Sequence, residues 1–148
     1  MWEVDKLPRV LVVEDAPFLR YAFSRLLRLQ GFEVLEANDG LEALEVIEKF
    51  DPQLILTDLM MPVMDGVELI RHLKSDPKTA KLPIIAITAD SSGISEKRAR
   101  EAGADAFITK PVELPALLDQ LRTVEARPIS FPSIGSETPF SLPNSPSL

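Results

Sequence analysis

Short, continuously apolar runs alternate with longer amphipathic segments along the chain, and the alternation predicts the fold. Strands are expected over 10–13, 33–37, 54–57, 84–88 and 106–109. The runs beginning at Val10, Leu54 and Ile84 carry no polar residue before their last position, as strands buried on both faces require. Between them the apolar period changes to that of a helix. Over 17–30, Leu19, Ala22, Phe23, Leu26 and Leu27 share one stripe, with Pro17 in the first turn and Gly31 as a stop. Asn38, Asp39 and Gly40 introduce a second helix, with Leu44 and Ile47 inward. Asp65 and Glu68 have the spacing of a capping box for a third, which buries Leu69, Ile70 and Leu73. A fourth ends at Gly103. The last, over about 113–124, aligns Leu114, Leu117, Leu118 and Leu121 and keeps Pro115 in its first turn. Strand and helix in strict alternation predict a doubly wound α/β domain, a five-stranded parallel sheet covered on both faces.

The fourth helix is the exception. Its sequence Ser-Glu-Lys-Arg-Ala-Arg-Glu-Ala over 95–102 leaves only Ile94, Ala99 and Ala102 for apolar contact, so it is expected to be the most easily displaced element.

At 148 residues and 45% hydrophobic, the chain supports one domain with a real core. The organisation expected is an N-terminal extension over 1–8, the domain over 9–125, and a disordered Pro/Ser-rich tail over 126–148. Phe131, Ile134, Phe140 and Leu142 in that tail are candidates for docking on a partner or on the domain. The net charge of -7 opposes nonspecific binding to nucleic acid or anionic membrane, which leaves proteins and small ions as partners. Lys97, Arg98 and Arg100 form only a local basic strip. Without cysteine there is no disulfide, thiolate catalysis or Cys-ligated zinc. No apolar stretch approaches the roughly 20 residues of a membrane span, and the first residues lack the core of a secretion signal, so a cytoplasmic location is expected.

Chemistry is concentrated at the strand ends. Asp58 closes the third strand and opens a Pro/Gly-bearing loop, Glu14 and Asp15 follow the first, Thr88 ends the fourth, and Lys110 follows the fifth. Right-handed crossovers put all these ends on one edge of a parallel sheet, where open α/β folds bind ligands. Three carboxylates gathered there repel one another unless a cation intervenes, and oxygen-only ligands with an incomplete shell suit magnesium. Read alone, Glu14 and Asp15 are also ordinary N-terminal acids of the first helix. His72, the single histidine, has no ligand companions and is expected on the surface. Met60, Met61 and Met64 are expected to pack or to anchor the loop.

The combination of Val-Val-Glu-Asp at 12–15, Asp-Leu-Met-Met-Pro-Val-Met-Asp-Gly at 58–66, Ile-Thr-Ala at 87–89 and Thr-Lys-Pro at 109–111 resembles the receiver domain of two-component response regulators, of the CheY-like single-domain type. The resemblance runs from about Arg9 to Val124. It implies a flavodoxin-like three-layer sandwich with sheet order 2-1-3-4-5. It also implies roles. Asp58 would be the phosphoacceptor, Glu14 and Asp15 the acidic metal pair, and the Met60 backbone carbonyl a further ligand to Mg2+. Thr88 would be the switch hydroxyl, Lys110 the phosphate-contacting ammonium, and Phe107 the switch aromatic. The phosphoryl donor would be a sensor histidine kinase or histidine phosphotransfer protein. The output would be contact with a downstream protein through the fourth helix, last strand and last helix, rather than enzymatic turnover. With only the tail after Val124, any effect would pass through protein contact unless the chain is part of a longer regulator. Two other readings stand beside this one. A magnesium-dependent aspartyl phosphohydrolase would usually place a second acid two residues after its nucleophile, where Met60 stands. A receiver-shaped binding module that never handles phosphate would have no need of Asp15, Asp58, Thr88 and Lys110.

Overall fold

The computed structural model describes residues 8–125. The expectations for the extension and the tail, including Phe131, Ile134, Phe140 and Leu142, fall almost wholly outside those residues. Five strands and five helices alternate: β1 Arg9–Val13, α1 Pro17–Leu29, β2 Glu33–Ala37, α2 Gly40–Phe50, β3 Leu54–Asp58, α3 Gly66–Ser75, β4 Ile84–Thr88, α4 Ile94–Ala102, β5 Ala106–Thr109 and α5 Leu114–Glu125. All strand pairs are parallel and the sheet order is β2-β1-β3-β4-β5. This is the doubly wound sheet that the sequence predicts. Among the described residues no helix is long and apolar enough to cross a membrane.

Strand alternation explains why the central runs are apolar throughout. Val10, Val12, Leu54, Leu56, Ile85 and Ile87 face one way and pack with Phe23 and Leu27 of α1 and Leu117, Leu121 and Val124 of α5. Their neighbours Leu11, Val13, Ile55, Ile84 and Ala86 face the other way, against Ala43 of α2, Leu69, Ile70 and Leu73 of α3, and Ala99 and Ala102 of α4. Each fully buried Leu or Ile contributes about 1.5–3 kcal/mol, so these two layers hold the domain together.

The caps follow the sequence closely. Asp39 accepts the Glu42 N–H at 2.8 Å, and Asp65 and Glu68 form the reciprocal capping box, so α2 and α3 begin where expected. Gly103 ends α4 with φ +118°, a conformation that costs a glycine nothing.

The inward positions differ in depth. In α2 Leu44 and Ile47 pack against the core as expected but are half-buried, while Gly40 and Ala43 are buried. In α1 only Phe23, Ser24 and Leu27 are buried, and the helix leaves Phe18, Tyr21 and Leu29 facing out. Ile94, one of the three apolar positions the sequence offers α4, is 66% exposed. That leaves Ala99 and Ala102, and two alanine methyls contribute only about 0.8 kcal/mol each.

Candidate functional site

The register sets the site geometry before any side chain is considered. Val13 pairs with Thr57, so Glu14 comes level with Asp58 at the carboxyl edge, and Asp58 pairs with Ile87. Thr88 pairs with Thr109, so Lys110 begins one position beyond Thr88. The chain leaves β1 for β2 on one side and returns to β3 on the other. The crevice between β1 and β3 is therefore the switch point at which such sheets bind ligands.

Four of the expected residues meet there. One carboxylate oxygen from each of Glu14, Asp15 and Asp58 lies within 4.8 Å of the others, with Glu14 and Asp58 buried and Asp15 exposed. Lys110 Nζ donates to Asp58 Oδ2 at 3.0 Å and to Glu14 Oε1 at 3.1 Å. The Met60 N–H donates to Asp58 Oδ1 at 3.2 Å, so the Asp58 carboxylate is held at both oxygens. The Ala16 N–H donates to Glu14 Oε2 at 3.1 Å.

The electrostatics show what this arrangement suits. Burial pushes the Glu14 carboxyl up to about 7; the Asp58 charge adds to the rise, while the Ala16 amide and Lys110 oppose it. Burial favours the neutral form of Lys110, but hydrogen bonds and charge from Asp58, then from Glu14, outweigh it and raise its pKa above the ordinary lysine value. One ammonium faces three carboxylates. The uncompensated charge, the oxygen-only donors and their spacing fit a hard divalent cation such as magnesium.

Thr88 and Phe107 are placed differently. Thr88 is fully buried at the same edge, and its Oγ1 accepts the Asp90 N–H at 3.3 Å. Phe107 opposes Ala86 and is half-buried against the layer formed by α2, α3 and α4. Met61 and Met64 pack into the core as expected, but Met60 is 69% exposed beside Asp58. His72 lies exposed on α3. The sequence reading overlooked three contributors. Arg20 donates from Nη1 to the Glu14 carbonyl at 2.8 Å and pairs through Nε with Glu36 at 3.2 Å, which fixes the turn after β1. Gly66 lies so close to the Asp58 carbonyl and to Leu59 Cα that a Cβ has no room. Asp90 organises the loop after Thr88; its one sequence signal is an acid placed two and five residues before serines.

Comparison with known proteins agrees with this fold. The family model for the response regulator receiver domain matches residues 10–122. The polar-differentiation response regulator DivK of Brucella ovis is 33% identical over 114 residues, covering 77% of this chain and 93% of that protein. Among solved structures, the chemotaxis response regulator CheY4 of Vibrio cholerae superposes with a TM-score of 0.75 at 31% identity, covering 80% of this chain and 99% of the other. The receiver domain of a signal transduction histidine kinase from Syntrophus aciditrophicus gives a TM-score of 0.76 at 31% identity, over 87% of this chain and 98% of that domain. A buried aspartate at the β1/β3 switch point, held by the lysine that follows β5 and flanked by two acids, thus sits in a sequence matched over most of its length, and the chain belongs to the response regulator receiver domain family of two-component signalling.

Proposed function

We propose that Asp58 accepts a phosphoryl group from a phosphohistidine on a histidine kinase or phosphotransfer protein, and that the resulting acyl phosphate switches contacts with a downstream protein. The observation that carries this reading is the hold on Asp58: a carboxylate only 5% exposed, with Lys110 on one oxygen and the Met60 amide on the other. In the transfer, an Asp58 oxygen forms the new P–O bond as the donor's N–P bond breaks and the electron pair returns to the imidazole. Lys110 balances charge on the moving phosphoryl oxygens from the position it already occupies. Glu14, Asp15, Asp58 and the Met60 carbonyl would hold Mg2+, which supplies further charge neutralisation and orientation of those oxygens when bound. Water attack on the acyl phosphate restores the carboxylate and releases phosphate, which suits a signal rather than a lasting modification.

The rim favours a protein donor over a small ester. Phe18 at the start of α1, Met60 and Val63 in the β3–α3 loop, and Ile94 at the start of α4 all lie at the carboxyl edge and are 66–80% exposed. Apolar side chains around an acidic pit suit docking by a second protein surface. Thr88 and Phe107 remain the candidates for relaying phosphorylation to the face formed by α4, β5 and α5.

The test is incubation with Mg2+ and acetyl phosphate, read by intact mass beside Asp58→Asn. An increment of about 80 Da is expected in the native protein alone. Sustained release of phosphate from assorted esters would favour the aspartyl phosphohydrolase. No increment from any donor would favour the binding module.

A further inference from the structure

The junction between β4 and α4 carries a hydrogen-bond chain that the phosphoacceptor chemistry itself does not use. It starts at Thr88, whose buried Oγ1 accepts the Asp90 N–H. From there the Asp90 side chain reaches forward. Its Oδ1 accepts the Ser92 N–H at 2.8 Å, and its Oδ2 accepts the Ser95 hydroxyl at 2.7 Å and the Ser95 N–H at 3.3 Å. Ser95 lies in the first turn of α4, whose N-cap Gly93 offers no side chain. Asp90 therefore does the work of a cap from three residues further upstream. The hydrogen bonds from Ser95 and then Ser92 hold its carboxyl down at about 2, so it is ionised wherever the protein is folded and active.

Two observations give this chain leverage. The helix it anchors has little apolar burial to hold it, since of its residues only Ala99 and Ala102 are buried, so the bonds from its first turn to Asp90 matter to its position. The upstream end is a hydroxyl at the edge where Asp58 and Lys110 meet, and it is tied to residue 90 by the N–H it accepts.

We infer that Asp90 is the link between Thr88 and α4, a positioning residue that sets the first turn of the helix according to where the Thr88 hydroxyl points. Turning that hydroxyl toward an oxygen on Asp58 removes the acceptor from the Asp90 N–H, and a shift of residue 90 carries Ser92 and Ser95 with it. What turns Thr88 rests on the phosphoacceptor reading of Asp58; the link itself is present in the unmodified protein. It is a polar route, separate from the packing of Phe107 against the sheet.

Hydrogen exchange at the Lys97 and Arg98 amides tests the link without any phosphodonor, in the native protein, Thr88→Val, Asp90→Ala and the double variant. Each single substitution is expected to speed exchange by about tenfold, and the double by no more than Asp90→Ala alone. Purely multiplicative effects, or native exchange in Asp90→Ala, overturn the link, because an anchor unconnected to Thr88 shows no such coupling. Ser95→Ala removes the shortest bond and should give an intermediate rate, which keeps the test decisive if Asp90→Ala fails to fold. A second arm adds beryllium fluoride and Mg2+ as a phosphoryl mimic. The native α4 amides should respond and those of Asp90→Ala should not, although its Asp58 still gains mass from acetyl phosphate; an equal α4 response in both proteins overturns the link. If native Asp58 gains no mass, the phosphoacceptor reading fails and the first arm alone decides.

Discussion

Lys110 Nζ lies 3.0 Å from Asp58 Oδ2 across 52 residues of sequence, and the same ammonium lies 3.1 Å from Glu14 Oε1. One cation thus holds two buried acids that would otherwise face each other directly. Replacing it with Met keeps most of the volume and removes the charge. Because the Lys110 side chain is still 18% exposed, the loss is smaller than for a fully buried pair, about 2 kcal/mol. Urea unfolding of Lys110→Met at pH 7.5 in chelator should show that loss, and added Mg2+ should recover part of it. An undiminished midpoint would mean that the two acids are not in fact held by this amine.

Glu14 gives the domain an unusual pH dependence in the absence of metal. Its carboxyl is raised from 4.5 to about 7 by burial, so between those values the folded state binds more protons than the unfolded chain. Stability then falls as pH rises, with the contribution present near pH 4.5 and lost as pH passes through about 7. Thermal melts in chelator should show Tm dropping from pH 5 to pH 7.5, and Glu14→Gln should flatten that slope. Mg2+ should oppose the drop at the upper end by favouring the ionised form. A Tm that climbs over the same interval in the native protein would contradict the assigned shift.

How much of this was legible in the sequence depended on how local the cause was. The three central strands were readable because burial on both faces demands unbroken apolar runs, and Val10, Leu54 and Ile84 start such runs; the two edge strands, β2 and β5, were readable from their place in the alternation with helices. Asp39 and Asp65 were readable because a cap needs only residues three apart. Glu14, Asp58 and Lys110 were readable because parallel strands with right-handed crossovers put their ends on one edge. What escaped depended on packing between elements. Whether Ala43 or Leu44 lies deepest is decided by the distance of α2 from the sheet, which periodicity does not encode. The close approach of Gly66 to the Asp58 carbonyl and the reach of Asp90 to Ser95 arise from loop paths that no period describes.

Gly66 opens α3 directly against the backbone of Asp58 and Leu59. Its N–H donates to the Leu59 carbonyl at 3.0 Å, and a Cβ there would overlap the Asp58 carbonyl and stand 2.7 Å from Leu59 Cα. Both are backbone atoms, so neither can swing aside. Gly66→Ala should therefore destabilise by about 2 kcal/mol or more through overpacking and should displace the end of β3. Denaturant unfolding measures the first effect, and slower phosphoryl uptake at Asp58 reports the second. A variant that unfolds like the native protein would show that the loop has slack the structure does not suggest.

Val63 occupies the same loop with φ +71°, in the left-handed region where a β-branched side chain is least at ease. L-residues pay about 1–2 kcal/mol for that conformation, while asparagine visits it readily. The Val63 side chain is 71% exposed, so replacing it gives up little burial. Glycine would also relieve the backbone, but its freer unfolded chain returns about 0.5–1 kcal/mol of the gain. Val63→Asn should therefore be the more stabilising of the two, by about 1 kcal/mol, with Val63→Gly nearer neutral. Equilibrium urea unfolding of both variants beside the native protein orders the three. If Val63→Asn proves less stable than native, contacts made by the valine outweigh its backbone strain, and the loop next to Asp58 is held by its side chain rather than in spite of it.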